Sequence, residues 1–528
     1  MEELISFDKP LPQGLTMDTL APSPAPGQKR TPLSRFFPNS DTNYIRRYKF
    51  LEDPEASEAG STAVSPTSDG SSDEAAEKHV PKAQLDDAIV EQVNGPYRGE
   101  VAKPVQRTLG FFGAFFNMIA YSIALGILSI PMVVATIGMV PFVLLCCLFS
   151  FVTWYIGYNY WRIAMMYPGV QNLQQVGELL FGPVGGIVFA VFQGIFSIFL
   201  QGNHVLLGGY AFYYLGWEAC MIIMVFVFTI ISFVFTLPRS YRLFSAFAAI
   251  SFTSIFTVVI IAMIASGVAA PQNRDPGQPP KQIHAFGASP RIPHDFLDGV
   301  LGVTNVFVSF GAIPAYLPVI AEMKRPQDFP RSLILLVAVS FVMYVIVGCI
   351  MNYNLGQYTT SPSLGSLSTV MIKISYGLAL PTILVAGCAS GQVTGKMLMI
   401  NVFSGSRRRY LRSKVVTWTA WILINVASWA IGFVLAEVIP FFSTFLGLEA
   451  SLFWSIFFMF APMFYLWRHQ FDYWDHWRNR LGFLVALIMI GMAGFLCIAG
   501  TWSAAISIRD LYKTGNVGSP FSCEMPSG

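Results

Sequence analysis

From Leu109 to about residue 510 the chain is a succession of apolar runs separated by short polar turns, and each run is long enough to cross the roughly 30 Å of hydrocarbon in a bilayer. About eleven such runs are present, beginning near residues 109, 140, 183, 219, 241, 297, 330, 381, 415, 439 and 481. The expected fold class is therefore an all-α polytopic membrane protein. Composition agrees, since 54% of the 528 residues are hydrophobic and 12% charged, with a mean hydropathy of +0.54. The seven cysteines are odd in number and lie mostly inside apolar runs, with Cys146 and Cys147 adjacent, so free thiols are expected rather than a disulfide framework.

Residues 1–107 follow a different rule. This stretch mixes Pro, Ser, Gly and acid and holds 17 of the 30 acidic residues before residue 101. It has too few large apolar groups to offset its ordering entropy, and a disordered cytosolic tail is expected. No apolar core follows Met1, so the first span is expected to act as a signal anchor. The serines and lysines of the tail are candidate contacts for regulatory partners, or simply a solvated, unregulated segment. The transmembrane domain is expected over 108–510, followed by a short tail at 511–528. Basic turns at 238–242, 322–331, 406–414 and 467–480 alternate with basic-poor turns at 138–140, 211–218, 357–369 and 435–440. Positive charge stays inside, which puts the N-terminus in the cytosol and the C-terminus outside it.

Two of the runs are interrupted. "SFGAIPAYLP" at 309–318 carries a glycine and two prolines, and five spans earlier "IALGILSIP" at 123–131 places Gly126 and Pro131 mid-segment. Lipid tolerates a broken helix only where protein or a wet cavity surrounds it. Matched breaks in spans one and six point to an inverted-repeat transporter with two five-span halves and a substrate site at the midplane. Gly and Pro are also simply common in membrane helices, which is the plainer account of either break alone.

The stretches "FNMIAYSIALGILSIP", "YPGVQNLQQVGELLFGPVGG", "FGAIPAYLPVIAEMKRPQDFPRSL" and "IPFFSTFLGLEASLFWSIFFMFAPMFYLW" resemble the amino acid/auxin permease family, nearest to fungal plasma-membrane permeases for neutral and aromatic amino acids. The resemblance covers about 105–510. It implies the five-plus-five inverted-repeat fold of the LeuT type, proton symport and no cofactor. Sodium-coupled relatives carry a Gly-Ser-Gly core and a second asparagine where this chain has Ala124, Leu125, Gly126 and Ala120, so the proton is favoured over sodium as coupling ion.

An amino acid presents a carboxylate and an ammonium, and a broken helix offers free N–H groups at one stub and free C=O groups at the other. The N–H groups around Ala124, Leu125 and Gly126 are expected to hold the carboxylate, and carbonyls near Val308, Ser309, Phe310 and Gly311 the ammonium. Phe192, Phe196, Phe307 and Phe310 are candidates to line the side-chain pocket, although each is as well explained by packing. Gln193 is a candidate substrate contact or a bridge between helices. Asn117, Pro131 and Pro314 would brace the breaks. Coupling needs an ionisable group within the membrane, and Glu449, Lys396 and His204 stand out. Glu449 is the expected proton carrier and Lys396 a fixed charge in place of sodium, with Ser390 and Thr394 beside it. Lys396 could instead snorkel to the headgroups, and Glu449 could be a structural neutral acid. His204, about 31 Å from the cytosolic start of its helix, is expected in an outer vestibule.

Rival functions leave other marks. The spans show no cluster of nucleophiles or metal ligands, as a membrane enzyme would need. Nor do they show the charge rings or repeated filter of a channel. A nutrient receptor on the same fold shares the binding site and remains the alternative. The expected partners are neutral L-amino acids and the lipid bilayer, not nucleic acid. The expected address is the plasma membrane, with the vacuolar membrane as the other choice; the 271–296 loop has no Asn-X-Ser/Thr acceptor to decide it.

Overall fold

The computed structural model describes residues 109–167, 170–238, 241–271, 274, 281–289, 295–403, 414–469, 477–513 and 521–523. The expected tail at 1–107 and the basic turn expected at 406–414, up to residue 413, lie outside the described residues. Among the described residues, thirteen α-helices make up eleven candidate spans. They are α1 Phe111–Ile137, α2 Met139–Met166, α3 Leu173–Leu215, α4 Met221–Thr236 and α5 Tyr241–Val268. The second half begins with α6 Phe296–Ser309 and α7 Ile313–Glu322, which together make the sixth span. It continues with α8 Phe329–Leu355, α9 Thr369–Phe403 and α10 Lys414–Val438, then α11 Phe442–Glu449 and α12 Ser455–Arg468, which together make the tenth. The eleventh is α13, Trp477–Lys513. Ten spans pass on length and hydropathy when the bent first helix is counted as one. Only α4 falls short, its 16 residues reaching about 24 Å.

Local chemistry sets the helix ends. Asn172 accepts a hydrogen bond from the Gln175 N–H at 2.9 Å and caps the start of α3. Gly182, at φ +72, lets that helix turn sharply before Pro183. Asp295 and Asp298 form a reciprocal capping box at the start of α6. Pro314 sits in the first turn of α7, where its missing N–H removes no helical hydrogen bond.

Contacts between the spans pair up under exchange of span n for span n+5. Span 1 packs on 7 as span 6 packs on 2, span 3 on 4 as 8 on 9, and span 3 on 9 as 8 on 4. Likewise span 5 packs on 8 as 10 packs on 3, span 1 on 5 as 6 on 10, and span 5 on 7 as 10 on 2. This is the packing of two inverted halves, and it agrees with the fold expected from the paired breaks. Burial ranks the spans accordingly. The most apolar window of span 6 is 72% buried and that of span 10 is 78%, against 22% for α13, which lies at the edge.

The cysteines hold one departure from the expectation of no disulfide framework: Cys220 and Cys523 form a disulfide across 303 residues of sequence, while Cys146, Cys147, Cys349, Cys388 and Cys497 are free. These two cysteines lie at the ends of the apolar runs, one at the N-cap of α4 and the other beyond α13. Pairing needs spatial proximity that spacing cannot reveal. Phe521 packs on Phe433 of α10 beside the bridge, at 6.4 Å between ring centroids.

Candidate substrate site

The two interrupted spans meet at the centre. The sixth is fully broken: α6 ends at Ser309, Phe310 and Ala312 leave the helical path, and α7 resumes at Ile313. The first is bent by 49° between Phe111–Ile123 and Gly126–Ile137. It stays helical through Ala124 and Leu125, so it is bent rather than unwound. The bend comes before Gly126, and Pro131 lies within the continuous helix beyond it. Gly126 is where the two spans touch, for a Cβ there would meet the Oγ, Cα and Cβ of Ser309. The contact is cross-linked, since the Ser122 hydroxyl donates to the Ser309 carbonyl at 2.8 Å and the Tyr344 hydroxyl donates to the same oxygen at 2.5 Å.

A cavity opens against this junction, with ≈ 660 Å³ of empty space including its mouth. Span 1 contributes Asn117, Ala120, Tyr121, Ser122 and Gly126, and span 6 contributes Val308 and Gly311. Leu200 and His204 come from α3, Ala248 and Ser251 from α5, and Val385, Ala386 and Ala389 from α9. Leu446, Glu449 and Trp454 complete it from span 10. Span 10 carries a turn of π-helix at Ala450–Trp454, directly after Glu449. Such turns recur at functional sites because they re-aim side chains. Here the turn brings the Trp454 ring against Gly311, where a Cβ would lie 2.8 Å from it.

The polar groups of the cavity are few and incompletely paired. Glu449 is fully buried, and its Oε2 accepts from Asn203 Nδ2 at 2.9 Å while Oε1 has no partner. His204 is 2% exposed; its Nδ1 lies 2.7 Å from the Leu200 carbonyl, and its Nε2 has no partner. Gln201, one turn back on α3, donates to Thr394 Oγ1 of α9 at 3.1 Å.

His204 therefore does not lie in an outer vestibule. It lines the same cavity as Glu449. Helix contour misled the depth estimate, because α3 runs 33 residues past Gly182 to Leu215, about 50 Å. Counted back from Leu215, His204 is 11 residues in, roughly 16 Å.

Other expected residues divide. Gly126, Val308, Gly311, Asn117 and Glu449 line the cavity. The backbone of Ala124 and Leu125 lies at the bend, while their side chains fall outside the described residues, as does the side chain of Lys396 on α9. The carbonyls proposed for the ammonium are largely engaged. Val308 accepts the Gly311 N–H at 2.8 Å, Ser309 accepts two hydroxyls, and Phe310 has Thr153 Oγ1 at 3.5 Å. None of the four phenylalanines lines the cavity. Phe192 and Phe196 pack on Phe453 and Phe457 of span 10. Phe307 packs between Phe149 and Phe458, and Phe310 lies edge-on to Tyr344. Gln193 is buried and gives its carbonyl to Ser197 Oγ. Ser390 and Thr394 are tied into α9 through the carbonyls of Gly387 and Ser390.

Tyr121, Ser122, Asn203, Tyr344 and Trp454 were not legible in advance as site residues. Tyr121 follows Asn117 at i+4, a spacing that puts both on one helix face. The other four are placed by tertiary contacts between spans.

An all-helical bundle with paired inverted halves, bent at span one and broken at span six around a partly polar cavity, has the architecture of a membrane-embedded carrier of the inverted-repeat class. Residues 107–506 match the family described as "Transmembrane amino acid transporter protein", and the chain belongs to that family. It is similar to an N amino acid transport system protein of Neurospora crassa, 27% identical over 422 residues that cover 77% of this chain and 86% of that protein. It is also similar to transmembrane transporters of Fusarium pseudograminearum and Gibberella moniliformis. The first is 28% identical over 51% of this chain and 55% of the relative, the second 26% identical over 56% and 62%.

Proposed function

We propose that this chain imports neutral amino acids, aliphatic and aromatic, by proton symport with alternating access. The observation that carries the reading is the central cavity. It is bounded by the bend of span one and the break of span six and holds one fully buried carboxyl, Glu449, with an unpartnered oxygen. Intramembrane carboxyls are costly and mark ion or proton pathways. The kinship with the Neurospora crassa amino acid transport protein supports the substrate class.

Alternating access is supported by the shape of the cavity. Asn117 and Ala248 lie only six or seven residues, about 10 Å, from the starts of α1 and α5. The lining thus comes near the face where those helices begin, as Leu446, four residues into α11, brings it near the other. On the opposite side, spans 6 and 10 are tied by Asn305 Nδ2 donating to Ser443 Oγ at 2.9 Å, and Gly447 packs on Leu301. With the N-terminus in the cytosol, this is an inward-facing state.

The Cys220–Cys523 bridge supports that orientation, because disulfides persist on the oxidising side of a membrane. In intact cells at the plasma membrane, a membrane-impermeant reductant followed by an impermeant maleimide is expected to label Cys220 and Cys523. Labelling only after permeabilisation would reverse the topology or move the protein to an internal membrane.

The function itself is tested by uptake of radiolabelled leucine and phenylalanine into liposomes holding the purified full chain, under an inward proton or sodium gradient. Proton-driven accumulation is expected. Sodium-driven uptake would overturn the coupling ion, and binding without uptake would indicate a receptor.

A further inference from the structure

Two buried acceptors in the cavity, Glu449 Oε1 and His204 Nε2, have no partner, and a proton symporter of amino acids must accommodate two cationic groups, the coupling proton and the substrate ammonium. We propose that His204 Nε2 accepts a hydrogen bond from the substrate α-ammonium, leaving Glu449 Oε1 for the proton. The assignment rests on the proposed function above and adds a substrate-binding residue to it.

The hydrogen bonding of the imidazole decides its role. A carbonyl oxygen can only accept, so the contact of His204 Nδ1 with the Leu200 carbonyl fixes the proton on Nδ1. In the neutral ring Nε2 is then a lone-pair acceptor, suited to an –NH₃⁺ donor. The ring is also held from behind, since a Cβ on Gly387 of α9 would lie 3.1 Å from His204 Cβ. The break carbonyls offer less. Ser309 O already accepts two hydroxyl donors, which fills both of its lone pairs, and Val308 O accepts the Gly311 N–H.

Glu449 is poised for the other task. Asn203 Nδ2 donates to Oε2, which leaves Oε1 as the oxygen that can take or release a proton without breaking that bond. Asn203 and His204 are consecutive on α3, so one helix turn positions both acceptors. Among the described residues, Tyr121 of α1 is the other titratable group on the cavity wall.

The test compares two ligands that differ only in the amine, leucine and isocaproate, by calorimetric titration of the purified full chain and its variants. His204→Leu removes the acceptor. It is expected to weaken leucine binding roughly 10- to 100-fold, the loss of one charge-assisted hydrogen bond, and to leave isocaproate binding unchanged. His204→Gln, whose amide oxygen can accept, is expected to restore much of the preference for leucine. A purely structural role would weaken both ligands alike, and an unchanged leucine-to-isocaproate ratio in His204→Leu would overturn the assignment. If the wild-type chain bound leucine while that ratio stayed fixed, only the His204 role would fall. If the wild-type chain bound no neutral amino acid, the functional reading would fall with it.

Discussion

Replacing Gly126 by alanine is expected to lower transport roughly 100-fold, the scale of loss when a site is displaced by about 1 Å. The added methyl would meet Ser309 at its Oγ, Cα and Cβ, the last two at 2.8 Å. A rotamer change of Ser309 clears only Oγ, because Cα belongs to the backbone. The break in span 6 must then move relative to span 1. That movement pulls on the Ser122 and Tyr344 hydrogen bonds to the Ser309 carbonyl, which hold the two spans in register. Overpacking of this kind costs about 1–3 kcal/mol, so the variant should still reach the membrane while failing in uptake. Gly491→Ala is the control. Nothing lies within 4 Å of the corresponding Cβ on α13, so transport and surface expression should stay at the wild-type level. Equal activity of the two variants in the liposome assay would show that the contact between spans 1 and 6 is dispensable.

Much of this arrangement is written in the chain, and what is not written has a physical reason. Hydrophobic run length marks the spans, because lipid penalises every unpaired backbone group and so enforces whole helices. Gly311 with Pro314 marks the sixth-span break, since the first frees the backbone from a side chain and the second suits the start of a new helix. Glu449 is visible as a carboxyl too deep to reach the headgroups. The phenylalanines misled because size and apolarity are the same for a substrate wall and for a helix interface. Phe192 and Phe196 serve the contact between spans 3 and 10. The cavity is instead walled largely by small residues, such as Ala120, Ala248, Ala386 and Ala389, that no apolar pattern singles out. Asn203, Ser122 and Tyr344 depend on partners 246, 187 and 35 residues away, a pairing that exists only once the halves are packed. The same holds for Cys220 and Cys523.

Glu449→Gln is expected to abolish accumulation driven by a proton gradient while preserving exchange of leucine across the liposome membrane. The substitution keeps shape and keeps an oxygen that accepts from Asn203 Nδ2, so the contact between α3 and span 10 survives. What it removes is a group able to gain and lose a proton at a site with no exposure to water in this state. A glutamine is a permanent analogue of the protonated acid, and a carrier locked in that form can still cycle with substrate bound on both sides. The gradient sets the size of the effect. One pH unit is worth about 1.4 kcal/mol, which supports roughly tenfold accumulation in one-to-one symport. Wild-type liposomes should approach that ratio, and Glu449→Gln liposomes should stop at equal concentrations inside and out while counterflow of labelled against unlabelled leucine continues. Counterflow matters as the second readout, since a misfolded variant would lose both. Should Glu449→Gln still concentrate leucine under the proton gradient, the carboxyl would be a structural partner of Asn203, and the coupling proton would have to travel by another group.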